Sequence, residues 1–158
     1  MFKKILVCLD GSELAEVILP YALEQAKRFD SELVLFRAFS EPSVISLAMP
    51  GMPGLPMETE RKEKHLIEDE RIVETYLKSL ADKLRSENNL MINYDKMQGA
   101  AGPSIVEYCG KQEIELIAIA THVRSEPSRV VLGSVADYVI RYSGTPILLI
   151  RPTGIKAK

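Results

Sequence analysis

The stretch Lys3-Lys4-Ile5-Leu6-Val7-Cys8-Leu9-Asp10-Gly11-Ser12 decides how this chain is read. Its centre is a short, unbroken apolar run with lysines on one side and Asp10-Gly11-Ser12 on the other, the pattern of a strand covered on both faces. Ser12 then stands where a helix can begin, with a hydroxyl able to cap it. From Glu13 to about Phe29 the residues Leu14, Ile18, Tyr21, Ala22 and Phe29 recur at helical spacing, and Asp30-Ser31 ends the pattern. A buried strand leading directly into an amphipathic helix is the opening unit of an α/β domain.

The same alternation continues outward. Leu33 to Phe36, extending through Ala38 and Phe39, reads as a second strand, and Leu90 to Met97 alternates as a half-exposed one. Between them, Glu58 to about Glu87 is a long amphipathic helix with Leu66, Val73, Leu77, Leu80 and Leu84 on one face. Its mixed charge run Glu60 to Lys64, with His65 beside it, is a solvated surface. Gly99 to Gly102 predicts a turn, and Pro103 suits the first position of a helix running to about Gln112. Leu116 to Ala120 is a buried strand, Thr121 to Arg129 a polar loop, and Gly133-Ser134 the start of a helix through Val135, Val139 and Ile140. Ile147 to Ile150 is the last strand. Residues 41–57, with Pro42, Pro50, Pro53 and Pro56 among glycines and methionines, predict a mobile loop, and 152–158 a frayed tail.

Composition narrows the function. The 158 residues are 46% hydrophobic and 27% charged, with 22 acidic against 20 basic side chains. A single domain of 1–158 fits that length, which buries roughly 70% of the unfolded chain's surface without disulfide or metal staples. A net charge of −2 offers no electrostatic footprint for nucleic acid. No apolar stretch approaches the roughly 18 residues that span a bilayer, and the apolar run after Met1 is too short for a signal peptide. With two histidines and two cysteines in all, Cys8 and Cys109, a four-ligand structural zinc site would have to recruit every one of them or carboxylates, and none is expected. A cytoplasmic protein of a reducing compartment, with no structural metal site, is the expectation.

In open α/β sheets, ligands sit beyond the carboxyl ends of the strands. Asp10-Gly11-Ser12 follows the first strand there, and Gly133-Ser134 opens a helix whose free N–H groups suit an anion. Neither G-x-x-x-x-G-K-[ST] nor G-x-G-x-x-G is present, which removes the P-loop and dinucleotide-binding readings. Asp10 is alone among acids at the end of a buried strand, too few for a magnesium-dependent phosphate-accepting domain. G-x-S-x-G is absent, and His122 near Ser125, Ser128 and Ser134 lacks a third orienting group, so no enzymatic turnover is expected.

Lys3 to Ser12, then Gly102-Pro103-Ser104-Ile105, then Ala120 to Ser125 and Val131 to Val139, together resemble the universal stress protein family over nearly the whole chain. The resemblance implies a Rossmann-like three-layer α/β sandwich around a five-stranded parallel sheet in the order 3-2-1-4-5. It implies cytoplasmic homodimers, joined through the last strand at Thr145 to Arg151, in a stress-response or regulatory role. It also implies binding of an adenine nucleotide, ATP or AMP, with magnesium if ATP. Weak ATP hydrolysis stays open, as does a dimeric interaction protein of the same fold, engaging an unknown partner, that has lost the nucleotide.

Family members that bind ATP carry G-x-x-G, nine residues, then G-[ST]; the matching positions here are Ala120, Val123 and Gly133-Ser134. A β-branched residue at 123 replaces one that offers positive φ and close backbone approach, at a cost of at least about 1–2 kcal/mol if that conformation is needed. Glu126-Pro127 adds a carboxylate and a kink to the same loop, while Arg124 and Arg129 offer charge to a phosphate. By the same resemblance Cys8, Ala38, Ile119 and Val135 border the nucleotide, and Asp10 contacts ribose or a phosphate-bound metal. From the residues alone, Asp10 serves equally well as a helix cap.

Overall fold

The structure is a computed structural model that describes residues 1–39, 57–121, 124–126 and 129–152. The expected loop at 41–57 lies outside the described residues up to position 56, as do His122, Val123, Pro127 and the tail from 153. Five strands form one parallel sheet: β1 (Lys4–Cys8), β2 (Glu32–Phe39), β3 (Ile92–Gln98), β4 (Leu116–Ala120) and β7 (Ile147–Ile150), ordered β3-β2-β1-β4-β7. This is the expected 3-2-1-4-5 order.

The apolar run of β1 explains the layering. With a period of two, Ile5, Val7 and Leu9 face one side and Leu6 and Cys8 the other, and both sides are buried. The first side packs on α1 (Glu13–Glu16), α2 (Leu19–Phe29) and α3 (Met57–Glu87) through Ala15, Ile18, Ala22, Val73 and Leu77. The second packs on α4 (Ala101–Gln112) and α5 (Ser134–Tyr142) through Ile105, Cys109, Ala136 and Val139. Two cores, one on each face, are what an all-parallel sheet requires.

Three local expectations are corrected. The helix predicted from Glu13 to Phe29 is two helices, because Pro20 has no N–H and its ring opposes the carbonyl four residues earlier. At the break Val17 and Ile18 donate to carbonyls only three residues back, at 3.3 and 3.4 Å. The buried stripe becomes Ala15, Ile18, Leu19, Ala22 and Ala26, which leaves Tyr21 49% exposed. Pro103 sits at the third helical position of α4, where its missing N–H has no intrahelical acceptor to lose. The segment predicted as a polar loop after β4 carries a short antiparallel hairpin, β5 (Arg124–Glu126) on β6 (Arg129–Val131).

Two edges remain. β3 keeps the half-exposed alternation read from its sequence, and β7 is the other edge, with all four residues half-buried. Among the described residues, no helix is long and apolar enough to cross a membrane.

Candidate functional site

Beyond the carboxyl ends of β1, β2 and β4 lies a cleft of about 300 Å³, at the lower end of small-molecule sites. Cys8, Asp10, Ala38, Ile119, Ala120, Gly133, Ser134 and Val135 all line it, so the structure brings together every expected site residue that it describes. Val123 lies outside the described residues. A wider groove of about 730 Å³ runs along the outer flank of α3 past Glu16, Ile72 and Tyr76, but it is open and lies on a helix side instead of at the strand ends.

Each wall has a local cause. Asp10 ends β1 and accepts hydrogen bonds at Oδ1 from the Ser12 N–H (2.8 Å) and hydroxyl (2.6 Å). The Ser12 hydroxyl in turn accepts the Ala15 N–H at 3.1 Å, making Ser12 the N-cap of α1. Asp10 is therefore not the cap; it fixes the residue that is. Gly11 between them has φ +85°, a left-handed conformation that frees the chain to turn from strand to helix.

On the opposite wall the Gly133 N–H donates to the Thr121 hydroxyl at 3.0 Å, tying the end of β4 to the start of α5. Thr121 is buried and Ser134 exposed, so this helix start presents a hydroxyl to solvent and has one amide already engaged. The floor is apolar, formed by Cys8, Phe36, Ile105 and Ile119. Burial pushes the Cys8 thiol well above its ordinary range, with the nearby Cys109 adding to the effect. Cys8 is a neutral wall residue in consequence.

Sequence reading missed Arg37, Thr121, Phe36 and Ile105. Phe36 and Arg37 look like ordinary strand residues, and only the register Cys8↔Phe36 places the next residue of β2 beside Gly11. Thr121 carried a weak signal, a hydroxyl directly after a buried strand. Among the described lining residues the formal charges are Asp10 and Arg37. No group of three His, Cys, Asp or Glu among the described residues is placed to hold a metal ion. The arrangement is suited to holding a small polar molecule over an apolar floor.

The model of the universal stress protein family matches residues 1–151. Universal stress protein MJ0531 of Methanocaldococcus jannaschii is 26% identical over 151 residues, covering 96% of this chain and 83% of that protein. Among solved structures, the universal stress protein UspA from Lactobacillus plantarum superposes with a TM-score of 0.75 at 18% identity, over 95% of this chain and 98% of that one. A universal stress protein in complex with cAMP gives a TM-score of 0.68 at 19% identity, over 94% and 97%. At such identities the structural likeness concerns the fold. The match of the family model to nearly the full length carries the assignment: the chain belongs to the universal stress protein family.

Proposed function

We propose that this protein binds an adenine nucleotide, ATP or AMP, in the cleft at the strand ends, as a cytoplasmic homodimer with a regulatory role in the stress response. The observation that carries the reading is convergence: Cys8, Asp10, Ala38, Ile119, Ala120, Gly133, Ser134 and Val135 come from distant parts of the chain and line one cleft. Asp10 would face ribose or, with ATP, a magnesium ion, and Ser134 with the α5 amides a polar group of the ligand. A family relative of the same fold has been solved with cAMP. Among the described lining residues there is no activated nucleophile and no base for one, which favours binding over turnover. The dimer would form through β7, an edge strand with free ladder positions.

A dimeric interaction protein that keeps the fold without the ligand is the second reading. Ala120 favours it, standing in the cleft lining where the family's ATP binders carry glycine. The two are separated by heating the purified protein, identifying any released small molecule by mass spectrometry, and titrating AMP and magnesium–ATP by calorimetry. Recovered nucleotide, or saturable heat at millimolar ligand or below, supports binding; neither supports the interaction protein.

A further inference from the structure

The charge balance of the cleft is set by two side chains, Asp10 and Arg37, among the described lining residues. Arg37 belongs to β2 and is half-buried. Its guanidinium packs against Gly11, the residue next to Asp10: a Cβ built on Gly11 would lie 2.5 Å from Nη1 and 3.1 Å from Cζ. Cζ also stands 5.6 Å from the centre of the Tyr76 ring, a cation–π arrangement that holds the group in place. The Tyr76 hydroxyl donates to Glu16 at 2.9 Å, which fixes the ring. Arg37 forms no salt bridge among the described residues, and Asp10 is hydrogen-bonded only to Ser12 among them.

The α5 start contributes less positive potential than a bare helix end. The Gly133 N–H is already given to Thr121, and Asp137 occupies the first turn. Without Arg37 the described lining would carry the Asp10 charge alone and repel an anion.

The geometry points to Arg37 as the residue that makes this cleft select phosphorylated ligands, by offsetting Asp10 with a guanidinium held near Gly11 and the Tyr76 ring. This rests on the nucleotide reading above and deepens it, because it names the feature of the ligand that the protein reads. A guanidinium is charged at every accessible pH and presents donors in a fixed fork suited to phosphate oxygens. Its removal takes the described lining from neutral to a net negative charge, so the effect falls on the phosphate and not on the nucleoside.

The test is the ratio of AMP to adenosine affinity, measured by calorimetry on the full chain with EDTA present so that no divalent cation masks Asp10. The wild type should prefer AMP. Arg37→Met should lower the ratio about tenfold or more, and Asp10→Asn should raise it. The double variant should return to within about threefold of wild type, since two compensating charge changes are coupled. Recovery in the double variant is a readout that a purely structural role for Arg37 would not give. If Arg37→Met fails to fold, Asp10→Asn alone still reads the balance, with a raised ratio expected. A ratio unchanged in Arg37→Met or in Asp10→Asn, or not restored in the double variant, overturns the proposal while leaving nucleotide binding intact. A wild type that binds neither AMP nor adenosine overturns the nucleotide reading, and this proposal with it.

Discussion

The guanidinium of Arg37 occupies the space that a side chain on Gly11 would need, with Nη1 2.5 Å from where a Cβ would stand. The glycine is thus required twice, for its φ of +85° and for its missing side chain. Gly11→Ala should lower the unfolding free energy by about 1–2 kcal/mol through backbone strain. Because the guanidinium is the movable partner, the same variant should also narrow the preference for AMP over adenosine. Urea denaturation and calorimetry on one preparation check both effects. Full stability in the variant would contradict the strained turn.

Gly102 is a second glycine with a neighbour to account for. It lies inside α4, and a Cβ there would meet the Tyr138 ring at 2.9 Å, where α4 packs on α5. Alanine would gain up to about 1 kcal/mol in helix propensity, but overpacking costs typically about 1–3 kcal/mol, so the clash should win. Gly102→Ala is expected to destabilise the wild type and to be neutral or stabilising in a Tyr138→Ala background. Equal effects in both backgrounds would place the cost elsewhere.

The proposed dimer makes a positional prediction on β7. Pro146 and Ile150 present their carbonyls to β4, accepting from the Ile117 and Thr121 N–H groups at 2.9 Å. By alternation Leu148 also faces β4, whereas Ile147 and Leu149 turn their backbone groups to the free edge. Leu149→Pro should therefore yield monomers in sedimentation velocity with only a packing loss in stability. Leu148→Pro should break a ladder bond and lower the denaturation midpoint instead. A wild type that sediments as a monomer removes the proposal.

Alkaline pH should weaken the fold through its thiols. Burial raises Cys109 from 9.0 to about 11, and raises Cys8 well above 9.0 with Cys109 contributing. The folded state holds these protons more tightly than the unfolded chain. The Cys109 contribution is thus whole below pH 9.0 and is lost as pH rises through about 11, and that of Cys8 is lost in the same direction. Urea midpoints should fall across that interval, and the fall should be smaller in Cys109→Ala. An identical fall in the variant would assign it to other groups.

Val123 is tested from the sequence alone. If the valine limits nucleotide affinity, Val123→Gly should tighten AMP and ATP binding about tenfold or more, the counterpart of the left-handed backbone penalty. An unchanged affinity in calorimetry would shift the cause to Glu126-Pro127.

Much of this protein was legible in local pattern. The apolar runs at Ile5, Leu33, Leu116 and Ile147 became the strands, Ser12 became the N-cap, and Asp30 closed α2 in a left-handed conformation at φ 51°. The family motif brought the expected residues to one cleft without any contact being known. The break at Pro20 was also written locally, yet helical spacing outweighed it on paper because the apolar residues on both sides keep a similar period.

What sequence determined here was the strands, the helices and the chemical character of the strand ends, because hydrogen bonding and hydrophobic period act over a few neighbouring residues. Tertiary structure alone decided that Arg37 lies against Gly11, that Gly102 faces Tyr138, and that Thr121 holds the Gly133 amide. Those pairs are separated by 26, 36 and 12 positions in the chain and meet only through strand order, parallel register and helix packing. Side chains that read as ordinary strand or helix residues became walls and charges of a site for that reason.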